Sequence, residues 1–166
     1  MRFRSFIVSI LLLFTLSACN SPEEVQGKQG NSSKESKESV LYENTSYHLS
    51  VGEMEGWLLE KETDEGRLHA KFTNNQSKAI VTVTETTKSF ENIKDELKDG
   101  AGKVDVVQDD KASISFISGL NEKMRTDIYI KKHREFTYVF TFISPLSAYE
   151  KKENEIKKFL DEVHLK

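Results

Sequence analysis

Cysteine is almost missing from this chain of 166 residues: Cys19 is its only one. A single thiol excludes an intrachain disulfide framework and a thiolate zinc cluster. No basic excess exists either, since 24 basic against 27 acidic residues leave a formal charge of −3. Phosphate contacts need a basic patch, so no nucleic-acid partner is expected. Long apolar runs are lacking too. The run Phe6–Phe14 (FIVSILLLF) is well short of the roughly 20 residues that span a bilayer.

Motifs for chemistry are equally scarce. His48, His69, His133 and His164 show no HExxH, HxH or other ligand spacing. The first two fall on polar phases of strands and the third in a hairpin turn, so all four read as solvated surface residues. Asp105, Asp109 and Asp110 lack the alternating ligands and glycine of a calcium loop and read as a turn. No serine sits in a GxSxG elbow, and Gly100-Ala101-Gly102 lacks the lysine of a phosphate loop. The expectation is therefore no catalytic residue, no metal, no cofactor and no assignable ligand-binding residue. Paired carboxylates in a cleft stay open, because 27 acids offer many combinations and their separation in space is not read from spacing.

What is present begins at the N-terminus. Arg2 and Arg4 precede the apolar run, and Leu16-Ser17-Ala18-Cys19 follows it. A basic flank, a short apolar core and small residues before a cleavage point make a secretory signal. An uncleaved anchor is the competing reading. The tetrapeptide resembles the lipobox of bacterial lipoproteins. That resemblance implies cleavage between Ala18 and Cys19, a diacylglyceryl thioether on Cys19 and further acylation, palmitate-like, of the new N-terminus. Two or more acyl chains give stable anchoring. The implied location is the extracytoplasmic face of the cell membrane.

Residues 1–18 thus read as the signal peptide and 19–39 as a lipidated cysteine with a tether. Between Asn20 and Ser39 the one sizeable apolar residue is Val25. Such a segment buries too little to offset its ordering entropy. As a flexible coil it spans roughly 25 Å.

Residues 40–166 read as a single, monomeric domain dominated by period-2 patterns. Strands are expected around Tyr47–Val51, Trp57–Glu62, Leu68–Phe72, Ala79–Thr87, Lys103–Gln108 and Ala112–Ile117. Thr126, Ile128 and Ile130 alternate with Arg125, Asp127 and Lys131, which predicts a strand with one wet face. Lys132–Glu135 turns the chain into Phe136–Ile143 (FTYVFTFI), whose composition suits a central strand covered on both faces. Ser89 opens a helix through Phe90, Ile93 and Leu97, which Gly100 ends. Ser144 and Pro145 open a last amphipathic helix carrying Tyr149, Ile156, Phe159, Leu160 and Val163, with an outer Glu153–Lys157 pair. The fold class is α+β: a mainly antiparallel sheet of about seven strands, one inserted helix and a C-terminal helix.

Tyr47-x-Leu49-x-Val51, then Gly56-Trp57, an aliphatic-threonine strand, a short helix, a Tyr/Phe-rich hairpin and a terminal helix resemble the PsbP-like α/β sandwich. The likeness covers about 125 residues. It implies an accessory or binding role, here an envelope module with a possible envelope protein partner. The alternative is an envelope hydrolase or a small-ligand-binding protein with its site in a cleft. Trp57 and the face Phe136, Tyr138, Phe140 and Phe142 read as core rather than pocket.

Overall fold

The computed structural model describes residues 39–119 and 122–166. Ten strands and two α-helices follow in the order β1 (Val40–Asn44), β2 (Leu49–Gly52), β3 (Leu58–Asp64), β4 (Leu68–Asn74), β5 (Ser77–Glu85), α1 (Phe90–Ala101), β6 (Asp105–Asp110), β7 (Ser113–Ser118), β8 (Met124–His133), β9 (Phe136–Pro145), α2 (Tyr149–Asp161) and β10 (Val163–Leu165). One 3-10 turn, Leu146–Ala148, joins β9 to α2. The class is α+β, as the sequence predicts. Signal, tether and Cys19 lie outside the described residues, except for Ser39.

Seven strands form an antiparallel sheet in the order β3-β4-β5-β9-β8-β7-β6. The strand with the densest aromatic content, β9, is fourth of the seven and is covered on both faces. Its register sets Phe142, Phe140 and Tyr138 against Ala79, Val81 and Val83 of β5. Those small and branched partners leave room for the rings between them. On this face α2 and a small sheet, β1-β2-β10, close the main core. Phe159 of α2, fully buried, meets Trp57, Phe72 and Phe142 at ring separations of 5.0, 5.4 and 5.3 Å. The aromatic face is core.

The opposite face carries a second cluster: Ile114, Phe116, Ile128, Ile130 and Val139 under Ile93 of α1. Ser89 caps α1 by accepting a hydrogen bond from the Asn92 backbone N–H, which satisfies one of the first-turn donors. The left-handed C-terminal residue is Gly102, φ +74°, not Gly100, because the helix runs on through Ala101.

Other boundaries move for tertiary reasons. Val163 lies in β10, where it pairs with Val51, rather than on the last turn of α2. Ser144 and Pro145 belong to β9, and Ala148 precedes α2 without a side-chain cap. Trp57 stands just before β3, Tyr47 and His48 turn the chain from β1 to β2, and His133 ends β8. β6 extends through Asp110, leaving Lys111-Ala112 as the turn. Asp127 is 1% exposed: opposite Phe142, it shares the face that α2 covers, so this alternation has no wet side there.

Candidate functional site

α1 covers only part of its face of the sheet. It sits over β7, β8 and β9, and leaves β5 and β4 half exposed. Along its flank runs a groove of about 550 Å³. The registers pair His69 with Thr82, Thr82 with Val139, Thr84 with Thr137, and Ile80 with Thr141. Alternation therefore brings Thr82, Thr84, Thr137 and Thr141 to one floor, with Val139 among them and His69 beside it. Ile93 and Leu97 of α1 form an apolar wall.

The polar groups here are mostly satisfied internally. His69 Nδ1 lies 3.0 Å from Thr82 Oγ1. Burial, helped by Arg67, holds the His69 pKa below its ordinary value and so favours the neutral ring. Lys88 Nζ donates to both oxygens of Glu96, at 2.6 and 2.8 Å. Thr137 is the exception. It is 1% exposed, and its Oγ1 has no hydrogen-bond partner.

Two other features stand apart. A cleft of about 690 Å³ lies between α2 and the turn before β3. Glu55, Asp161 and Glu162 give it an acidic rim, and Trp57 backs it. Gly56, φ +79°, supports its wall: a Cβ there would approach Asn74 Oδ1 to 3.2 Å. Glu155, also in this cleft, already accepts hydrogen bonds from Lys152 and Asn74.

The second feature is the buried Asp127, whose Oδ1 accepts from Ser115 Oγ at 2.6 Å and Arg125 Nε at 3.0 Å. The guanidinium then lies 3.8 Å from the centre of the Tyr149 ring. Burial, with the Asp127 charge second, pushes the Tyr149 hydroxyl up to about 12. The Ser115 hydroxyl is held as a donor to this carboxylate inside the fold, and the geometry is that of a structural ion pair.

The histidines do not converge. His48 has φ +50° and lies 3.2 Å from Arg134 Nη1; it is half-buried in a turn instead of solvated on a strand. His133 is half-buried at a strand end with Nε2 unpartnered, because Phe136 pairs opposite it. His164 alone is exposed, on β10. Asp109 is engaged by Lys94 and Lys98, and Asp110 accepts from Gln108 and Ser113. Among the described residues no group of three His, Cys, Asp or Glu side chains is placed to hold a metal ion. The groove threonines carried one sequence signal, the alternation in Ala79–Thr87 and Phe136–Ile143. Which strands would be adjacent, and which would lie uncovered, was not in it.

No protein-family model matches the chain, and no curated protein matches it. Solved structures do. The Ran-binding protein Mog1p of Saccharomyces cerevisiae aligns with a TM-score of 0.51 at 10% identity, over 75% of this chain and 93% of its own. Cyanobacterial PsbP (CyanoP) from Synechocystis aligns at 0.50 and 10% identity, over 84% of this chain and 100% of its own. Such identities speak to fold alone. The described residues adopt the fold shared by Mog1p and PsbP.

Proposed function

We propose that this chain is an extracytoplasmic lipoprotein, held to the cell membrane through acyl groups on Cys19, with residues 40–166 serving as a non-enzymatic binding module of the envelope. The lipobox Leu16-Ser17-Ala18-Cys19 supports the anchor, and the polar composition of residues 20–39 supports a tether. Among the described residues no helix is long and apolar enough to cross a membrane. The observation that carries the binding role is the groove beside α1. A central sheet face is normally packed over its full width, yet here Thr82, Thr84 and Thr141 are half-exposed beside α1, with the buried Thr137 among them. The fold itself accommodates binding proteins, since one protein that shares it is Ran-binding by name.

Hydrogen–deuterium exchange of the full lipidated chain tests this reading, comparing native envelope fragments with detergent solution. Slower exchange in β4, β5 and the α1 flank on envelope is the expected outcome. Unchanged exchange there, or protection confined to the acidic cleft, overturns the assignment of the groove as binding face.

A further inference from the structure

We propose that the groove beside α1 takes a neutral oligosaccharide, a unit or two of a larger glycan. This rests on the reading of that groove as the binding face. Its charges decide against an ionic ligand. Arg67 and Lys88 are balanced by Glu85 and Glu96, and Lys88 and Glu96 are paired to each other. A free anion would meet two carboxylates and a free cation two basic groups, so neither gains net Coulomb energy.

The chemistry of the floor decides further. Its hydrogen-bonding groups are side-chain hydroxyls; Thr82 already meets His69 and Thr84 donates to the Glu85 carbonyl, and each keeps a lone pair with which to accept. The strands beneath them, β5 and β9, are both interior to the sheet. Their main-chain groups are spent on neighbouring strands, so an extended peptide has no edge to add to. A sugar needs none. It offers hydroxyls that donate or accept in turn, and a face of C–H groups that suits the apolar strip of Ile93, Leu97 and Val139. Carboxylates and a guanidinium at the rim strengthen hydrogen bonds to hydroxyls without requiring charge on the ligand. At about 550 Å³ the groove is in the size range of small-molecule sites.

Thr137 supplies the second, independent observation. A hydroxyl buried with no partner costs free energy, and this one lies in the floor of the groove. Its Oγ1 is closed to solvent in the empty groove, so an occupant meets it only after the side chain turns about χ1. Its cost to the empty fold is recovered when a ligand oxygen meets it.

The test uses the full chain with threonine methyls isotopically labelled, titrated with three neutral probes: maltotriose, cellotriose and N,N′,N″-triacetylchitotriose. A galacturonate trimer and a glucosamine trimer are the charged controls. At least one neutral probe is expected to shift the methyl signals of Thr82, Thr84, Thr137 and Thr141, while the charged trimers do not. Thr137→Val, equal in shape, should weaken that probe about tenfold and raise the melting temperature of the unliganded protein. No shift with any neutral probe overturns the saccharide assignment, as does tighter binding of a charged trimer. A Thr137→Val chain that binds equally well, or melts lower, overturns the role given to that hydroxyl. If exchange protection on envelope persists while all three probes fail, the binding face stands and its ligand is of another class, a peptide included.

Discussion

The Lys94 ammonium of α1 lies 2.5 Å from the Asp109 carboxylate of β6, and the same carboxylate accepts from Lys98 at 2.9 Å. Lys94 is almost fully buried, yet its hydrogen bond to Asp109 outweighs desolvation and holds its pKa above the ordinary value. The two lysines in turn hold the Asp109 carboxyl below the usual carboxylate range. One exposed aspartate thus pins the helix that walls the groove to the β6–β7 hairpin.

A pH dependence follows. Because the folded pKa of Asp109 is depressed, its contribution is present above the unfolded value and is lost as pH falls through the folded one. Urea midpoints of the wild type and Asp109→Asn should differ by a steady amount from neutrality down to about pH 4 and converge only as pH falls further, through the depressed folded pKa. A gap that stays constant through that further fall would show that the side chain acts through packing and not charge.

Arg125 and Asp127 make a second pair, and this one is deep. Arg125→Met leaves the Asp127 carboxylate buried with Ser115 as its remaining partner. Stranding a buried charge costs about 3–5 kcal/mol, read as a shift in chemical denaturation. Adding Asp127→Leu removes the stranded charge, and the double variant should recover part of the loss. Additive losses in the cycle would contradict the pairing.

Phe159→Ala empties a position bounded by three aromatic rings on the sheet side of α2. Such a cavity costs about 3–5 kcal/mol out of a total of about 5–15. Calorimetry should show a large drop in melting temperature with cooperativity retained. Deleting everything from Tyr149 onward removes Ile156 and Phe159 along with β10, and should leave no cooperative transition.

Cys19→Ala addresses the anchor. In cells supplied with labelled fatty acid, the wild-type chain should carry label and the variant none, with the signal left uncleaved. Persistent labelling of the variant would refute the lipobox reading.

Much of this fold was legible because alternation is a local property. Leu68, Ala70 and Phe72 alternate and are buried in β4, and the aromatic density of Phe136–Ile143 pointed to a central strand before any neighbour was known. The two short strands β1 and β10 were not legible. Val163–Leu165 has three residues, and Val163 continues the helical spacing of Phe159 and Leu160; pairing with β2 decides its state, and β2 is remote in sequence. Asp127 shows the same limit. Its parity was read correctly, but which side of β8 faces solvent depends on where α2 lands. The groove is harder still, since it exists only because β5 lies beside β9 and α1 covers β9 but stops short of β5.

The small sheet makes completion of the molecule a late event. β2 cannot gain its second neighbour until β10 is available, and the contact of Lys166 with Glu43 joins positions 123 residues apart. A topology closed by so distant a pairing folds slowly, because the entropy of the intervening loop is lost before the contact forms. Until α2 and β10 arrive, a growing chain presents Phe136, Tyr138, Phe140 and Phe142 as a bare aromatic sheet face, adhesive toward other copies and toward chaperones. Arrival of Tyr149–Lys166, which holds α2 and β10, is therefore the step that turns a sticky intermediate into a sealed one.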